Sequence, residues 1–196
     1  MGSLLATFST ALEARDPYLR GHSARVTAFA ESLARMLGWA GDRLDVLRLG
    51  GSLHDVGKIA VNARVLRKSG PLTEQELAQI RRHPVTGARL VECFEDFESA
   101  LPYVLHHHER WDGSGYPHGL RGETIPLEGR LLGVADAFDA MTSKRAYRAA
   151  LTVEQALAEL KRCSGTQFDP ELAQTFIDGW CRGEIESSER PLRIAI

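Results

Sequence analysis

A histidine and an aspartate stand side by side at the end of an apolar segment, in Leu53-His54-Asp55-Val56-Gly57-Lys58. Both are hard donors for a first-row metal ion, one through nitrogen and one through oxygen. Neighbouring residues on a helix diverge by about 100°. The pair therefore suits two adjacent ions, one on each side chain or one bridged by the Asp, better than one ion shared by both. Such a pair also constrains the fold, because other segments must bring further donors to the same point. Gly57 reads as the end of the helix. Lys58 follows as a cation able to meet a phosphate.

The further donors are present. His22 lies four residues before Val26, on the inward stripe of Val26, Phe29, Ala30, Leu33 and Leu37. His83 precedes Pro84, and His107 and His108 share a face with Val104 and Trp111. Asp136 is flanked by Ala135 and Ala137 in an apolar helix, where a carboxylate without a partner is costly. Each of these has an ordinary structural explanation when taken singly. Seven together, His22, His54, Asp55, His83, His107, His108 and Asp136, on helices that all turn apolar faces inward, indicate a site. The set exceeds one tetrahedral zinc. It suits two octahedral ions sharing a bridging carboxylate and a bridging hydroxide. Iron or manganese are favoured, with zinc, nickel or cobalt admitted. Two ions about 3.5–4 Å apart are a common arrangement for phosphate-ester hydrolysis. His106 points elsewhere and is expected to be solvated or to sit behind the ligands, and His118 is expected to be an exposed loop residue.

The pattern along the chain is helix after helix, and the fold class expected is all-α. The predicted helices run over 4–13, 21–37, from 42 into the His54-Asp55 pair, 73–83, 84–93, 99–109, 126–142, 152–162 and 169–180. Thr73 with Glu76 and Thr152 with Gln155 read as capping boxes, and Asp169-Pro170 as a helix start. Gly50 and Gly51 are poor helix formers and would let a neighbouring helix come close. Residues 60–70 read as irregular. Asp112-Gly113-Ser114-Gly115-Tyr116-Pro117-His118-Gly119 is a Gly/Pro-rich, exposed loop. No strand and no internal repeat is apparent.

The chain has 196 residues, 43% of them hydrophobic, which suits one domain over 1–183 followed by a polar tail over 184–196. A net charge of −2 argues against broad affinity for duplex nucleic acid. Cys93, Cys163 and Cys181 form no CxxC, so reduced thiols in a cytoplasmic protein are expected. No apolar run reaches membrane-spanning length, and no signal peptide is visible. Helical pattern begins directly after Met1-Gly2-Ser3, which leads us to expect further chain upstream in the native protein.

In these residues the sequence resembles the HD-GYP family, a branch of the HD-domain metal-dependent phosphohydrolases that degrades cyclic di-GMP. The resemblance covers nearly the whole chain. It rests on Gly21-His22-Ser23 with Arg25-Val26, His54-Asp55-Val56-Gly57-Lys58, His83-Pro84 and Gly87, and continues through His107-His108-Glu109, Asp112-Gly113-Ser114-Gly115-Tyr116-Pro117, residues 135–140 and 145–148. It implies a helical HD-domain bundle with a Gly/Pro-rich GYP loop and the same ligand set. It also implies substrate contacts from Lys58, Tyr116, Arg145 and Arg148. Some members look trinuclear, with a Glu four residues before the first ligand His. Tyr18 stands there, a poor ligand for a hard ion, so two metals are expected.

The resemblance implies hydrolysis of a 3′,5′-phosphodiester of cyclic di-GMP to pGpG, with a second cut to GMP less favoured. A bridging hydroxide would be the nucleophile, with Asp55 and Lys58 as the catalytic residues. Competing readings are a catalytically weak module that binds cyclic di-GMP or a partner, and a phosphohydrolase of another nucleotide. Expected partners beyond the substrate are a GGDEF-type signalling protein at the GYP loop and a second copy of the chain.

Overall fold

The computed structural model describes residues 7, 10, 12, 14–15, 20–144 and 149–185. Tyr18, Arg145 and Arg148 fall outside them, as do 186–196 of the expected tail. So do both bounds of the helix expected over 4–13, whose described residues Thr7, Thr10 and Leu12 are helical.

Nine α-helices follow one another over the rest of the described chain: α1 His22–Met36, α2 Asp42–Leu53, α3 Ala63–Leu66, α4 Glu74–Arg81, α5 His83–Val91, α6 Leu101–His106, α7 Leu127–Thr142, α8 Val153–Arg162 and α9 Pro170–Arg182. Short 3-10 turns occupy Val56–Ala60, Glu95–Ala100 and Gly122–Thr124. Among the described residues there is no strand, only an isolated bridge between Ser164 and Phe168. The all-α expectation holds. The two capping boxes form as read, with Thr73 and Thr152 each accepting from the backbone N–H three residues on. Asp169 caps α9 through Glu171 and Leu172, with Pro170 in the first turn.

Three readings are corrected. α2 ends at Leu53, not Gly57, and the chain tightens into a 3-10 turn that runs through Gly57. Residues 60–70 contain the one-turn helix α3, because the Asn62 side chain caps it by accepting from the Arg64 N–H. The helix expected from 99 begins at Leu101, after the 3-10 turn, with Pro102 in its first turn and its last residue at His106.

The main core is built by α1, α2, α7, α8 and α9. Phe29 meets Phe138 edge-on at 5.2 Å, and Phe176 packs against both. Leu33, Leu47, Leu131, Leu132, Ala135 and Leu160 fill the space between them. A smaller cluster of Leu53, Val56, Val91, Phe97, Ala100 and Val104 joins α2, α5 and α6. The expected close approach at Gly50 and Gly51 is present. A methyl at Gly50 would overlap the Tyr103 ring, and one at Gly51 would overlap Thr27 of α1. Past α9, Ile185 turns back and is buried in the main core. The three cysteines are free. Among the described residues no helix is long and apolar enough to cross a membrane. α1, α2, α5, α6 and α7 carry or adjoin the buried polar residues His22, His54, Asp55, His83, His107 and Asp139.

Candidate metal centre

His22 is the first residue of α1, His54 directly follows α2, His83 opens α5, His107 and His108 follow α6, and Asp136 lies in α7. All five histidines and Asp55 meet in one place. His22, His54, Asp55, His83 and His107 are buried, and His108 is half-buried. Their donor atoms fall into two groups, each within 4.8 Å internally: His22, His54 and Asp55, and Asp55, His83, His107 and His108. Asp55 belongs to both. Its Oδ2 lies 3.5 Å from His54 Nε2 and 3.7 Å from His22 Nε2. Its Oδ1 lies 3.3 Å from His83 Nε2 and 4.0 Å from His107 Nε2. Asp136 is in neither group, but its Oδ1 is 3.3 Å from His22 Nε2, at the edge of the first.

The outer nitrogens explain why the rings face inward. His54 Nδ1 donates to the Gly51 carbonyl at 2.7 Å, His83 Nδ1 to Ile80 at 2.8 Å, and His107 Nδ1 to Tyr103 and Val104 at 3.0 Å. A carbonyl can only accept, so Nδ1 carries the proton and Nε2 presents a lone pair to the centre. This is the tautomer that a metal-binding imidazole needs. His22 is held differently. Its Nδ1 donates to Asp139 Oδ2 at 2.7 Å, and Asp139 is gripped by Arg25, at 2.6 Å from Nε and 3.1 Å from Nη2.

These residues fit metal ions. His83 Nε2 and His107 Nε2 face each other at 3.2 Å, yet both rings keep their proton on the far nitrogen. Two lone pairs opposed at that distance call for a cation. His54 Nε2 and Asp55 Oδ1 are buried and have no hydrogen-bond partner among the described residues. Buried polar atoms left unpaired are costly, and ligation to a cation would relieve all four.

The electrostatics agree. Burial works against charge on Asp55, yet Lys58 with His54, His83 and His22 holds its carboxyl well below the usual range. Asp136 is likewise held low against burial, chiefly by its hydrogen bond from His22. Burial pushes His83 and His108 down to about 3, so both are neutral donors at pH 7. His22 goes the other way. Burial opposes its charge, but the hydrogen bonds to Asp136 and Asp139 and the charges of Asp136 and Asp55 raise it to about 9. Two like rings in one pocket thus differ through their carboxylate neighbours.

A cavity of about 470 Å³ opens beside the cluster, lined by Lys58, His107, His108, Tyr116 and Asp136. Lys58 Nζ sits 2.6 Å from Asp55 Oδ2, which pairs the lysine with the central carboxylate. Tyr116 is half-buried, not exposed as its loop composition suggested, because its ring stacks on His108 at 4.8 Å. Its backbone N–H also bonds the His108 carbonyl. His106 is half-buried and His118 exposed. Gly57 is required here for close approach. A Cβ on it would lie 2.5 Å from Gly87 N and closer still to the His83 carbonyl, so only glycine lets the Val56–Ala60 turn seat against α5.

Sequence reasoning assigned no role to Asp139, Arg25 or Arg81. The signal for the first two was the matching three-residue step, His22 to Arg25 on α1 and Asp136 to Asp139 on α7, which puts each pair on one helix face. Arg81, at the end of α4, lines the cavity with its guanidinium 5.5 Å from the Tyr116 ring. Only tertiary structure brings it there.

The HD domain family profile matches residues 6–172. The response regulator RpfG of Xanthomonas campestris, named a cyclic di-GMP phosphodiesterase, is 39% identical over 93% of this chain and 48% of its own length. A Vibrio cholerae protein named 3′3′-cGAMP-specific phosphodiesterase 2 is 36% identical over 90% of this chain and 34% of its own length. The solved structure of a cyclic GMP-AMP-specific phosphodiesterase from V. cholerae superposes with a TM-score of 0.65 at 21% identity, over 91% of this chain and 48% of that one, a likeness of fold. The chain spans about half or less of the length of these curated relatives. With the family profile covering most of its length, and relatives at this identity carrying the same domain, the chain belongs to the HD-domain family, in its HD-GYP branch.

Proposed function

We propose that this chain is a metal-dependent phosphodiesterase that opens cyclic di-GMP to pGpG. The observation that carries the reading is the division of Asp55, whose two oxygens face two separate groups of imidazole nitrogens. One ion would be held by His22, His54, Asp55 and Asp136, the other by Asp55, His83, His107 and His108. The inventory of nitrogen and oxygen donors supports iron or manganese, with zinc, nickel or cobalt admitted. When bound, such a pair lowers the pKa of water and neutralises phosphate charge.

The chain's own residues do the rest. Asp139 and Arg25 hold His22 in place. Lys58 is a cation beside the donors that is not itself a ligand, and it offsets charge growing on the non-bridging phosphate oxygens. The water oxygen bonds to phosphorus as the bond to the ribose 3′ oxygen breaks; one proton of that water ends on the 3′ oxygen and the other is released to solvent. Tyr116, braced on His108, holds the nucleotide, and Arg81 adds a cation at the cavity wall. Arg145 and Arg148 keep the role of substrate contacts that the family resemblance implies. The catalytic domain is taken as 1–183, with Ile185 anchoring the start of the tail. The GYP loop is the surface offered to a GGDEF-type or other signalling partner, and the chain pairs with a second copy, in a cytoplasmic setting.

The test is cleavage of cyclic di-GMP by chain loaded anaerobically with iron or manganese, with 3′3′-cGAMP assayed in parallel because a 36%-identical relative is named for it. Release of pGpG, lost in His54→Ala, supports the reading. Tight binding without cleavage of either dinucleotide replaces it with a sensor.

A further inference from the structure

A third group of donor side chains lies outside the centre around Asp55. His106, Glu109 and His118 each bring one donor atom within 4.8 Å of the other two. His106 is the last residue of α6, and its ring centroid is 5.6 Å from that of His118 in the GYP loop. His106 Nδ1 is buried and has no hydrogen-bond partner among the described residues. The Glu109 carboxylate is buried and fixed. Its Oε1 accepts the His118 backbone N–H at 2.8 Å, and its Oε2 accepts the Leu120 N–H at 3.0 Å. Each oxygen accepts one bond there and keeps a further acceptor site. His118 is exposed, so the group is open to solvent on one side.

We propose that His106, Glu109 and His118 bind a zinc-type divalent ion of their own, which ties the GYP loop to the end of α6. Two imidazoles and one carboxylate are the donor types that zinc takes, and three protein ligands leave one position for water. Zinc bonds of about 2.1 Å set tetrahedral donor separations near 3.4 Å. The exposed His118 ring is the part free to swing and close that gap. Glu109 is already oriented by backbone donors, as carboxylate ligands generally are. The ion would close the segment between Glu109 and His118, which contains Tyr116. It would therefore stiffen the stretch that holds Tyr116 against His108.

This proposal is independent of the reaction at Asp55. The full chain, His118→Ala, His106→Ala and His54→Ala are each loaded with zinc, freed of excess by gel filtration and analysed for zinc. Hydrogen exchange is read at the His118 and Leu120 amides with and without zinc. The expected result is one zinc fewer per chain in His118→Ala and in His106→Ala than in the parent. Zinc should slow exchange at both amides in the parent and in His54→Ala, and in neither loop-site variant. Equal zinc in the parent and His118→Ala, or exchange that zinc leaves unchanged in the parent, overturns the proposal. Loss of zinc in His54→Ala reports on the Asp55 centre alone, so failure there is distinguishable.

Discussion

Asp139 Oδ2 lies 2.7 Å from Nδ1 of His22 and turns the opposite nitrogen of that ring toward Asp136 and Asp55. The carboxylate is itself held by Arg25 on the facing helix. Asp139→Asn removes the charge that orients and polarises His22 and leaves Arg25 without its carboxylate partner, holding only Ser143 Oγ and the Arg20 carbonyl. Metal affinity should fall about 10–100-fold, the cost typical of losing a group that supports a ligand. Metal titration followed by elemental analysis checks this, with circular dichroism showing the helices intact. Unchanged affinity would make Asp139 a helix-packing residue only.

Gly57→Ala should destabilise the chain by about 1–3 kcal/mol, because the added methyl overlaps the backbone of His83 and Gly87. Metal retention should fall with it, since the same shift moves His83 relative to Asp55. Denaturant midpoints give the first effect and metal content the second. Wild-type stability would mean that the Val56–Ala60 turn seats less tightly on α5.

On the proposed reading, Lys58→Ala should keep the metal content of the parent and lose turnover of cyclic di-GMP by about 10–1000-fold, the range for deleting one charge-stabilising donor. Lys58 lies 2.6 Å from Asp55 Oδ2, so metal content must be measured on the same preparation. Cyclic di-GMP binding should weaken less than turnover, because phosphate charge grows toward the transition state. Full activity at the metal content of the parent would return Lys58 to a structural pairing with Asp55.

The Tyr116 ring is stacked on His108 and lines the cavity. Tyr116→Phe keeps the stack and should retain most activity. Tyr116→Ala should raise KM more than it lowers kcat, consistent with a substrate-holding role. A kcat effect that dominates in Tyr116→Ala would show that the ring acts through His108 on the chemistry.

For the metal-free chain the shifts set a stability optimum in pH. His83 and His108 fall from 6.5 to about 3 on folding, so the unfolded chain binds more protons in that interval and stability drops as pH falls below 6.5. Asp55 and Asp136, also depressed, act in the same direction at lower pH. His22 rises from 6.5 to about 9, so its stabilisation is complete below 6.5 and lost as pH climbs through 9. Melting temperatures of chelator-treated protein should peak near pH 6.5 and decline on both sides. A curve rising steadily to pH 9 would remove the charged His22–Asp139 pair from the apo state.

Helix starts were legible because capping is local. Thr73, Thr152 and Asp169 each bond backbone donors two or three residues away, and nothing distant alters that. The donor set was legible because buried polar side chains on apolar helices need partners. The 3-10 turns around Gly57 and Glu95 were not, since they arise where one segment is pressed against another. Nor was the burial of Tyr116, whose Gly-rich surroundings signal a loop but not the ring of His108 that covers it.

The sequence by itself determined an all-helical chain, five histidines and two aspartates of a kind that bind metal, and the motif register of the HD-GYP branch. These are properties of residue type and short spacing. Tertiary structure alone decided that Asp55 faces both donor groups, that Asp139 and Arg25 fix His22, and that His106, Glu109 and His118 form a group apart. The Asp139–His22 contact spans 117 residues of chain. Contacts of that range depend on how α1 and α7 pack, and no local preference encodes which side chains that packing brings within bonding distance.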